Sequence, residues 1–249
     1  MSVQAPEPLA VIAVKGVFRR YASGSTFVDA VSDLSFQVRA GECIALTGPS
    51  GSGKTTLLNL IAGLDEPTAG EIWVLGTRLG DLSESRLTSF RARSIGLVFQ
   101  EPQLLPGLTA LENVVAGRLP WAHWSVLEPD ARALLEAVGL AGRVDFPPAR
   151  LSAGERQRVG IARALLGKPA ILLADEPSGN LDLQSTEDVL RLLQDLRMRM
   201  SLTMITATHD PAVAASADRI LRLVGGAIAE DSASALDGNP PLEVRQLEP

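Results

Sequence analysis

Short apolar runs alternate with amphipathic segments along most of this 249-residue chain. Val31 to Val38 alternates apolar and polar residues, as expected of a strand with one buried face, whereas Cys43 to Thr47 is apolar throughout and follows a glycine, as in a strand buried on both faces. Further strands are predicted at Ala10–Arg20, Glu71–Leu75, Ile95–Phe99, Ala170–Ala174, Leu202–Ala207 and Arg219–Val224. Helical spacing predicts helices at Gly53–Ala62, Leu108–Gly117, Pro129–Val138, Ser152–Leu166 and Leu183–Met198. Strands that alternate with helices predict an α/β fold with a mostly parallel core sheet.

The pattern favours one domain over residues 9–231. Between about residues 102 and 150 the helical segments are broken by Pro and Gly, which suggests a helical subdomain completed by the helix at 151–166. Residues before Leu9 resemble a loose arm. The segment 232–249 is small, polar and contains Pro, and we expect a flexible tail there.

Composition narrows the function classes. The formal net charge is −6, which argues against a nucleic-acid partner. The single cysteine, Cys43, cannot form an internal disulfide and fits a buried strand in a reducing compartment. No basic segment followed by an apolar run opens the chain, and no apolar stretch approaches the roughly 18 residues of a membrane span. We therefore expect a soluble, cytoplasmic protein that depends on another chain for any work in a membrane.

The segment between the predicted strand Cys43–Thr47 and the following helix has the residue pattern of a P-loop. Its glycines allow backbone N–H groups to point at phosphate oxygens, and the helix N-terminus adds positive potential. A lysine can neutralise the β- and γ-phosphates, and a threonine hydroxyl can ligate Mg²⁺. The residues are Gly48, Pro49, Ser50, Gly51, Ser52, Gly53, Lys54 and Thr55.

Three further polar positions follow predicted strands. Asp175 and Glu176 end the apolar strand Ala170–Ala174, where a carboxylate can hold Mg²⁺ and a second one can polarise a water. Gln100 follows Ile95–Phe99 and can reach the metal or the water, and His209 follows Leu202–Ala207. Each has an ordinary alternative as a solvated residue at a strand end, but ligands bind at the carboxyl ends of such strands.

Leu151-Ser152-Ala153-Gly154-Glu155-Arg156-Gln157 lies between these groups. Its order relative to the P-loop, Gln100, the Asp-Glu pair and His209 resembles the nucleotide-binding subunit of ABC transporters, whose signature reads Leu-Ser-Gly-Gly-Gln or a close variant. The resemblance covers about Val11 to Asp231. The run from Phe99 to Val114 is similar to the branch that includes lipoprotein-release, macrolide-export and cell-division ATPases.

The resemblance implies an ABC-type P-loop ATPase with an additional antiparallel β subdomain, and it assigns residue roles. Tyr21 would stack on adenine, with a core aromatic as the alternative. Gly48 to Thr56, including Thr56 itself, would bind the phosphates. Thr55, Gln100 and Asp175 would hold Mg²⁺, Glu176 would be the general base, and His209 would contact the γ-phosphate. Ser152 and Gly154 would contact the ATP of a second subunit, and Ser178 to Asp182 would link the two sites of the dimer.

The resemblance further implies an ATP-hydrolysing subunit that pairs with a second copy and drives a separate integral-membrane permease at the inner face of the cell membrane. A regulatory ATPase that moves no cargo and a soluble non-transport ATPase of the same type stay open as alternatives. Two positions depart from the signature. Ala153 places a methyl group where backbone should approach phosphate, and Glu155 replaces glutamine.

Overall fold

The computed structural model describes residues 10–24 and 26–233. They divide into two compact units, with residues up to Ser83 and from Ile205 onward in unit 1 and Glu84–Met204 in unit 2. The predicted N-terminal arm, and all of the predicted tail after residue 233, lie outside the described residues.

The regular elements follow in chain order. The strands are β1 (Ala10–Ser23), β2 (Thr26–Arg39), β3 (Cys43–Thr47), β4 (Ala69–Val74), β5 (Thr77–Arg78), β6 (Ile95–Val98), β7 (Ile171–Asp175), β8 (Thr203–Ala207), β9 (Arg219–Val224) and β10 (Ala227–Asp231). The helices are α1 (Lys54–Ile61), α2 (Glu84–Ser94), α3 (Ala110–Ala116), α4 (Trp124–Ala137), α5 (Ala153–Leu165), α6 (Leu183–Met200) and α7 (Pro211–Ala215). Every strand and helix predicted above is present, with shifts of a few residues at most ends.

Unit 1 contains the antiparallel sheet that the resemblance implied. Its strand order is β2-β1-β4-β5, and each neighbouring pair is antiparallel. The alternation noted in the sequence has its expected cause, because Val31, Leu34, Phe36 and Val38 of β2 are buried while the polar residues between them face outward.

Parallel pairs form the rest of the strand structure in each unit. In unit 1, β3 is parallel to β9, and β9 is antiparallel to β10. In unit 2, β6 is parallel to β7. Four of the five residues of β3, and likewise of β7, are buried, as their unbroken apolar sequence predicted. The α/β class is confirmed, with mixed strand pairing.

The helical part of unit 2 packs α3 and α4 against α5. The helix expected from Pro129 in fact begins at Trp124 and contains that proline in its interior. Proline usually marks a helix start, but the turn before it is held by side chains. The indole Nε1 of Trp124 donates to Glu128 at 2.7 Å, and Arg132 pairs with Glu128 at 2.9 Å.

Sequence periodicity missed α2 altogether. Only Leu87 of its 11 residues is buried, so the segment has no apolar stripe from which a helical period could be detected. The short elements β5, β10 and α7 were also not predicted.

Candidate nucleotide-binding site

The P-loop of unit 1 has the backbone that phosphate binding requires. It connects β3 to α1, with Gly48, Gly51 and Gly53 at positive φ values of 138°, 77° and 100°. Helix α1 begins immediately after Gly53, and neither a capping side chain nor an acidic residue occupies its first turn. The first N–H groups of α1 therefore point out of the helix without a side-chain acceptor, which makes this helix end an anion site.

Two side chains in this loop fit a bound phosphate. Lys54 is only 6% exposed, and its Nζ donates to the carbonyl oxygens of Gly48 and Pro49 at 2.9 and 3.1 Å. The Oγ of Ser52 is buried and lacks a hydrogen-bond partner among the described residues. A buried hydroxyl without a partner is costly, and a phosphate oxygen would supply the missing acceptor.

The β9–β10 hairpin supports the P-loop from behind. The Gly226 N–H donates to the Ser52 carbonyl at 3.2 Å. A Cβ on Gly48 would overlap the Leu223 carbonyl oxygen of β9. Strand β2 also lies against the loop, because a Cβ on Gly53 would overlap the Ala30 carbonyl oxygen. Sequence reasoning missed this support, since Gly226 follows Ser52 by 174 positions. Only the adjacent glycines Gly225 and Gly226 could have indicated it.

We expect Gly226→Ala to weaken nucleotide binding. Its Cβ would lie 3.0 Å from the Ala30 carbonyl oxygen and 3.2 Å from the Val31 Cα, so the hairpin and β2 must shift relative to each other. Both elements lie against the P-loop, at Ser52 and at Gly53 respectively, so the shift disturbs the loop. A displacement that costs roughly 1.4 kcal/mol lowers the affinity for ATP about tenfold, which titration with a fluorescent ATP analogue measures.

Gly225→Ala is the matched control for this prediction. Gly225 has φ 56° and Gly226 has φ 83°, so both variants put alanine in the left-handed region, but a Cβ on Gly225 meets no atom within 4 Å. Equal affinities of the two variants would show that the hairpin does not support the P-loop.

His209 belongs to the same unit as the P-loop. It is exposed and directly follows Thr208, whose backbone N–H donates to the Leu46 carbonyl at 3.0 Å. This bond holds the end of β8 beside the end of β3, two residues before Gly48. The end of β8, which His209 follows, therefore lies beside the strand that leads into the P-loop within unit 1.

Asp175 and Glu176 lie in unit 2 at the end of β7, and both are partly exposed. Glu176 has a positive φ of 44°, an unusual value for a residue with a side chain. A tight turn follows, in which the Gly179 N–H donates to the Glu176 carbonyl at 3.0 Å. Backbone strain of this kind costs roughly 1–3 kcal/mol and clusters at functional sites.

Gln100 also lies in unit 2 and is exposed just after β6. Its amide rests against the loop after Glu176, because a Cβ on Gly179 would come within 2.9 Å of the Gln100 Nε2. The two predicted groups Gln100 and Ser178–Asp182 are thus in contact.

Two side chains of α5 hold the segment that includes Gln100 in place. Gln157 is buried, and its Nε2 donates to the Phe99 carbonyl at 2.9 Å. The guanidinium of Arg163 donates to the carbonyl oxygens of Pro102 and Gln103, and burial lowers its pKa. Sequence reasoning did not single out this pair, because residues six apart lie about 120° apart around a helix and show no common face.

The start of α5 is a capping box. The Ser152 Oγ accepts from the Glu155 N–H at 3.1 Å, and the Glu155 carboxylate accepts from the Ser152 N–H at 2.8 Å. Glu155 also pairs with Arg143 at 3.0 Å. The glutamate that departs from the family signature therefore has a structural role in fixing the Ser152 backbone.

Ser185, which the sequence did not indicate, contacts both Gly154 and Asp182. Asp182 caps α6, where its carboxylate accepts from the backbone N–H of Ser185 at 2.9 Å and from its hydroxyl at 2.8 Å. These bonds lower the pKa of Asp182. A Cβ on Gly154 would lie 3.1 Å from the Ser185 Oγ, so the start of α5 packs closely on the start of α6.

We expect Glu155→Ala to lower the free energy of unfolding by about 1 kcal/mol at pH 7, as is typical of a lost helix cap. The Ser152 N–H, and then Arg143, lower the pKa of Glu155. A lowered folded-state pKa means that this stabilisation is present above the unfolded pKa, about 4.3, and is lost as the pH falls through the folded value. Urea titrations of both proteins from pH 7 down to about pH 3 measure the difference. A difference that does not shrink on acidification would exclude the carboxylate charge as its cause.

Tyr21, on β1 in unit 1, is 37% exposed, which excludes the alternative of a fully buried core aromatic. Its hydroxyl donates to Asp65 at 2.5 Å.

The described residues contain no cluster of three or more His, Cys, Asp or Glu side chains suited to a metal ion. Within the same residues, no helix has both the length and the hydropathy of a membrane span.

Several known proteins are similar to this chain in sequence and in fold. Residues 31–179 match the family model described as ABC transporter. The chain is 44% identical over 219 residues to the lipoprotein-releasing system ATP-binding protein LolD of Chromohalobacter salexigens, covering 88% of this chain and 92% of that protein. It is 43% identical over 228 residues to the macrolide export ATP-binding/permease protein MacB of Rhodopirellula baltica, covering 89% of this chain but only 33% of that protein.

A solved structure of an ATP-binding cassette has a fold similar to that of this chain. The dimeric, post-hydrolysis state of the ATP-binding cassette MJ0796 bound to ADP and Pi superposes with a TM-score of 0.82 at 36% identity, covering 88% of this chain and 97% of that one. The family match spans more than half of the chain, and the LolD relative is matched over nearly its whole length. The chain therefore belongs to the ABC transporter family, as an ATP-binding cassette that hydrolyses ATP.

Proposed function

We propose that this chain is the ATPase subunit of a transporter whose permease is a separate integral-membrane chain, and that it works at the inner face of the cell membrane. The observation that carries the proposal is the similarity to LolD, an ATP-binding protein of a lipoprotein-releasing system, which is 44% identical over 219 residues. We propose that the transporter exports a substrate or releases lipoprotein or lipid from the membrane.

In this proposal Gly48 to Thr56 bind the phosphates of ATP, and Tyr21 stacks on adenine. The positive-φ glycines, the uncapped α1 and the unpaired Ser52 hydroxyl support the phosphate role. The γ-phosphate role of His209 is supported by the bond that ties Thr208 to β3.

Magnesium fits the donor atoms that the proposal assigns to it. Thr55, Gln100 and Asp175 offer a hydroxyl, an amide and a carboxylate oxygen, the hard ligands that Mg²⁺ prefers together with phosphate oxygens. When bound, the ion would neutralise charge on the β- and γ-phosphates.

Glu176 is proposed as the general base. Its carboxylate would accept a proton from the water that attacks the γ-phosphorus, while the bond to the β–γ bridging oxygen breaks and releases ADP and phosphate. The backbone of Glu176 is held at a positive φ before a tight turn, and strained backbone of this kind clusters at functional sites, which supports the assignment.

We further propose a homodimer in which Ser152 and Gly154 of each subunit contact the ATP of the other, and Asp182 helps to link the two sites. MJ0796 is dimeric in its solved structures, which supports this assembly. The capping box leaves Ser152 exposed at the helix end that would face the partner's phosphate.

A cleft in unit 2 suits the proposed permease contact. Its volume is about 480 Å³, and its lining residues include Gln100, Gln103, Leu104, Ala153 and Arg156. The neighbouring loop from Leu105 to Thr109 is held by the buried Asn113 amide, which donates to three of its carbonyl oxygens and accepts from the Leu105 N–H. Leu105 is nonetheless 53% exposed, so this ordered loop offers an apolar contact.

The test is a pull-down of tagged Glu176→Gln protein with ATP and Mg²⁺ from detergent-solubilised membranes of its own cell. A multi-span permease with a large extracytoplasmic domain is the expected partner. A membrane enzyme without transport activity would favour the regulatory alternative. Exclusively soluble partners would contradict the transporter proposal.

A further inference from the structure

The hydroxyl of Tyr21 is hydrogen-bonded, while the residue is partly exposed to solvent. The hydroxyl donates to the Asp65 Oδ2 at 2.5 Å, across 44 positions of the chain. A tyrosine whose hydroxyl is bonded, in a residue that is 37% exposed, has a restricted position and a surface open to solvent.

The guanidinium of Arg19 lies on the same ring. Its central carbon is 4.5 Å from the centroid of Tyr21, within the range of a cation–π contact. Arg19 also pairs with Asp65 through two nitrogens, at 2.9 Å from Nε to Oδ2 and 2.6 Å from Nη2 to Oδ1. Such bidentate pairs have a defined geometry, so the orientation of the guanidinium plane is restricted.

Asp65 is the common acceptor of this group. Besides the arginine and the tyrosine hydroxyl, its Oδ1 accepts from the Glu66 N–H at 2.8 Å, which fixes the carboxylate to the chain after α1. The side chains of Arg19 and Asp65 are 23% and 21% exposed, so the pair is only partly open to water.

We infer that Arg19 and Asp65 are positioning residues that hold the Tyr21 ring ready for the nucleotide base. With a guanidinium on one face of the ring, a base can stack only on the opposite face. A ring that is already oriented loses less conformational freedom when the base binds, so affinity rises without any contact between the base and either positioning residue. The inference rests on the proposed role of Tyr21.

The next residues of the same hairpin supply a matched control. Arg20 pairs with Asp29 through Nε and Nη2 at 2.5 and 2.9 Å, and it lies over the Phe27 ring at 5.9 Å. This second arginine–carboxylate–aromatic group has the same residue classes, but its aromatic residue has no hydroxyl, and none of its members is a proposed base contact.

The experiment compares ATP with inorganic tripolyphosphate, which has the phosphates but neither base nor ribose. Dissociation constants of both are measured with Mg²⁺, by competition against a fluorescent ATP analogue. Arg19→Ala, Asp65→Asn and Tyr21→Phe should weaken ATP binding about three- to tenfold, the range expected for a lost cation–π contact or hydrogen bond. Tripolyphosphate should change less than about twofold, and Arg20→Ala should change neither ligand.

Two comparisons separate the inference from the proposed function. Tyr21→Ala should lower ATP affinity relative to tripolyphosphate, and adding Arg19→Ala to it should cause no further loss. If Tyr21→Ala leaves the ratio of the two constants unchanged, the base contact itself is wrong. If Tyr21→Ala lowers the ratio but Arg19→Ala and Asp65→Asn do not, the base contact stands and the positioning role is overturned. A variant that merely misfolds would lose both ligands together.

Discussion

Glu176→Gln is expected to reduce ATP turnover by about 10²- to 10⁴-fold, the usual contribution of a general base. Glutamine preserves the volume and a hydrogen-bonding oxygen but cannot accept the proton of the attacking water. ATP binding should persist, because phosphate affinity belongs to the P-loop, and the variant should accumulate as an ATP-bound dimer. Phosphate release and size-exclusion chromatography with ATP and Mg²⁺ measure the two effects.

Glu187→Gln is the control for that variant. Glu187 is exposed on α6, so the same chemical change there should leave turnover and assembly as in the parent. Rapid hydrolysis by Glu176→Gln would remove Glu176 from its proposed role. Slow hydrolysis without a stable dimer would retain the base and contradict the proposed assembly.

Lys54→Ala is expected to weaken ATP binding at least about 100-fold. Hydrogen bonds to charged groups contribute roughly 1.5–3 kcal/mol each, and the lysine is proposed to contact two phosphates. Its Nζ also joins the Gly48 and Pro49 carbonyl oxygens, so its loss removes a restraint on the loop as well as a charge. Calorimetric titration with ATP measures the affinity, and thermal unfolding checks that the variant is folded.

Lys168→Ala controls for the loss of a positive charge. The Lys168 side chain is 74% exposed and pairs with Asp130 at 2.9 Å, an interaction that contributes little at a surface. Unchanged ATP affinity in Lys54→Ala would contradict the phosphate assignment.

The fold class and most elements were predictable because their signals are local. The apolar run of β3, the alternation in β2 and the glycines before α1 each report on backbone conformation or burial at the residues concerned. Prediction failed where the local signal was weak or misleading. Helix α2 has almost no buried face, so its sequence carries no helical period. Helix α4 was predicted to begin at Pro129 but begins at Trp124, whose indole bonds to Glu128 in the turn before the proline.

The proposed chemistry of this protein was predictable from the residues alone. The residues proposed to bind phosphate are consecutive, so Gly48 to Thr55 and the pair Asp175–Glu176 can be identified directly. The residues that support them became visible only in the folded chain. Gly226 contacts the P-loop, Gln157 bonds to Phe99 across 58 positions, and Arg19 reaches Asp65 across 46. These contacts depend on how the chain folds between distant segments. The identity of a single residue does not indicate which distant residue it will contact.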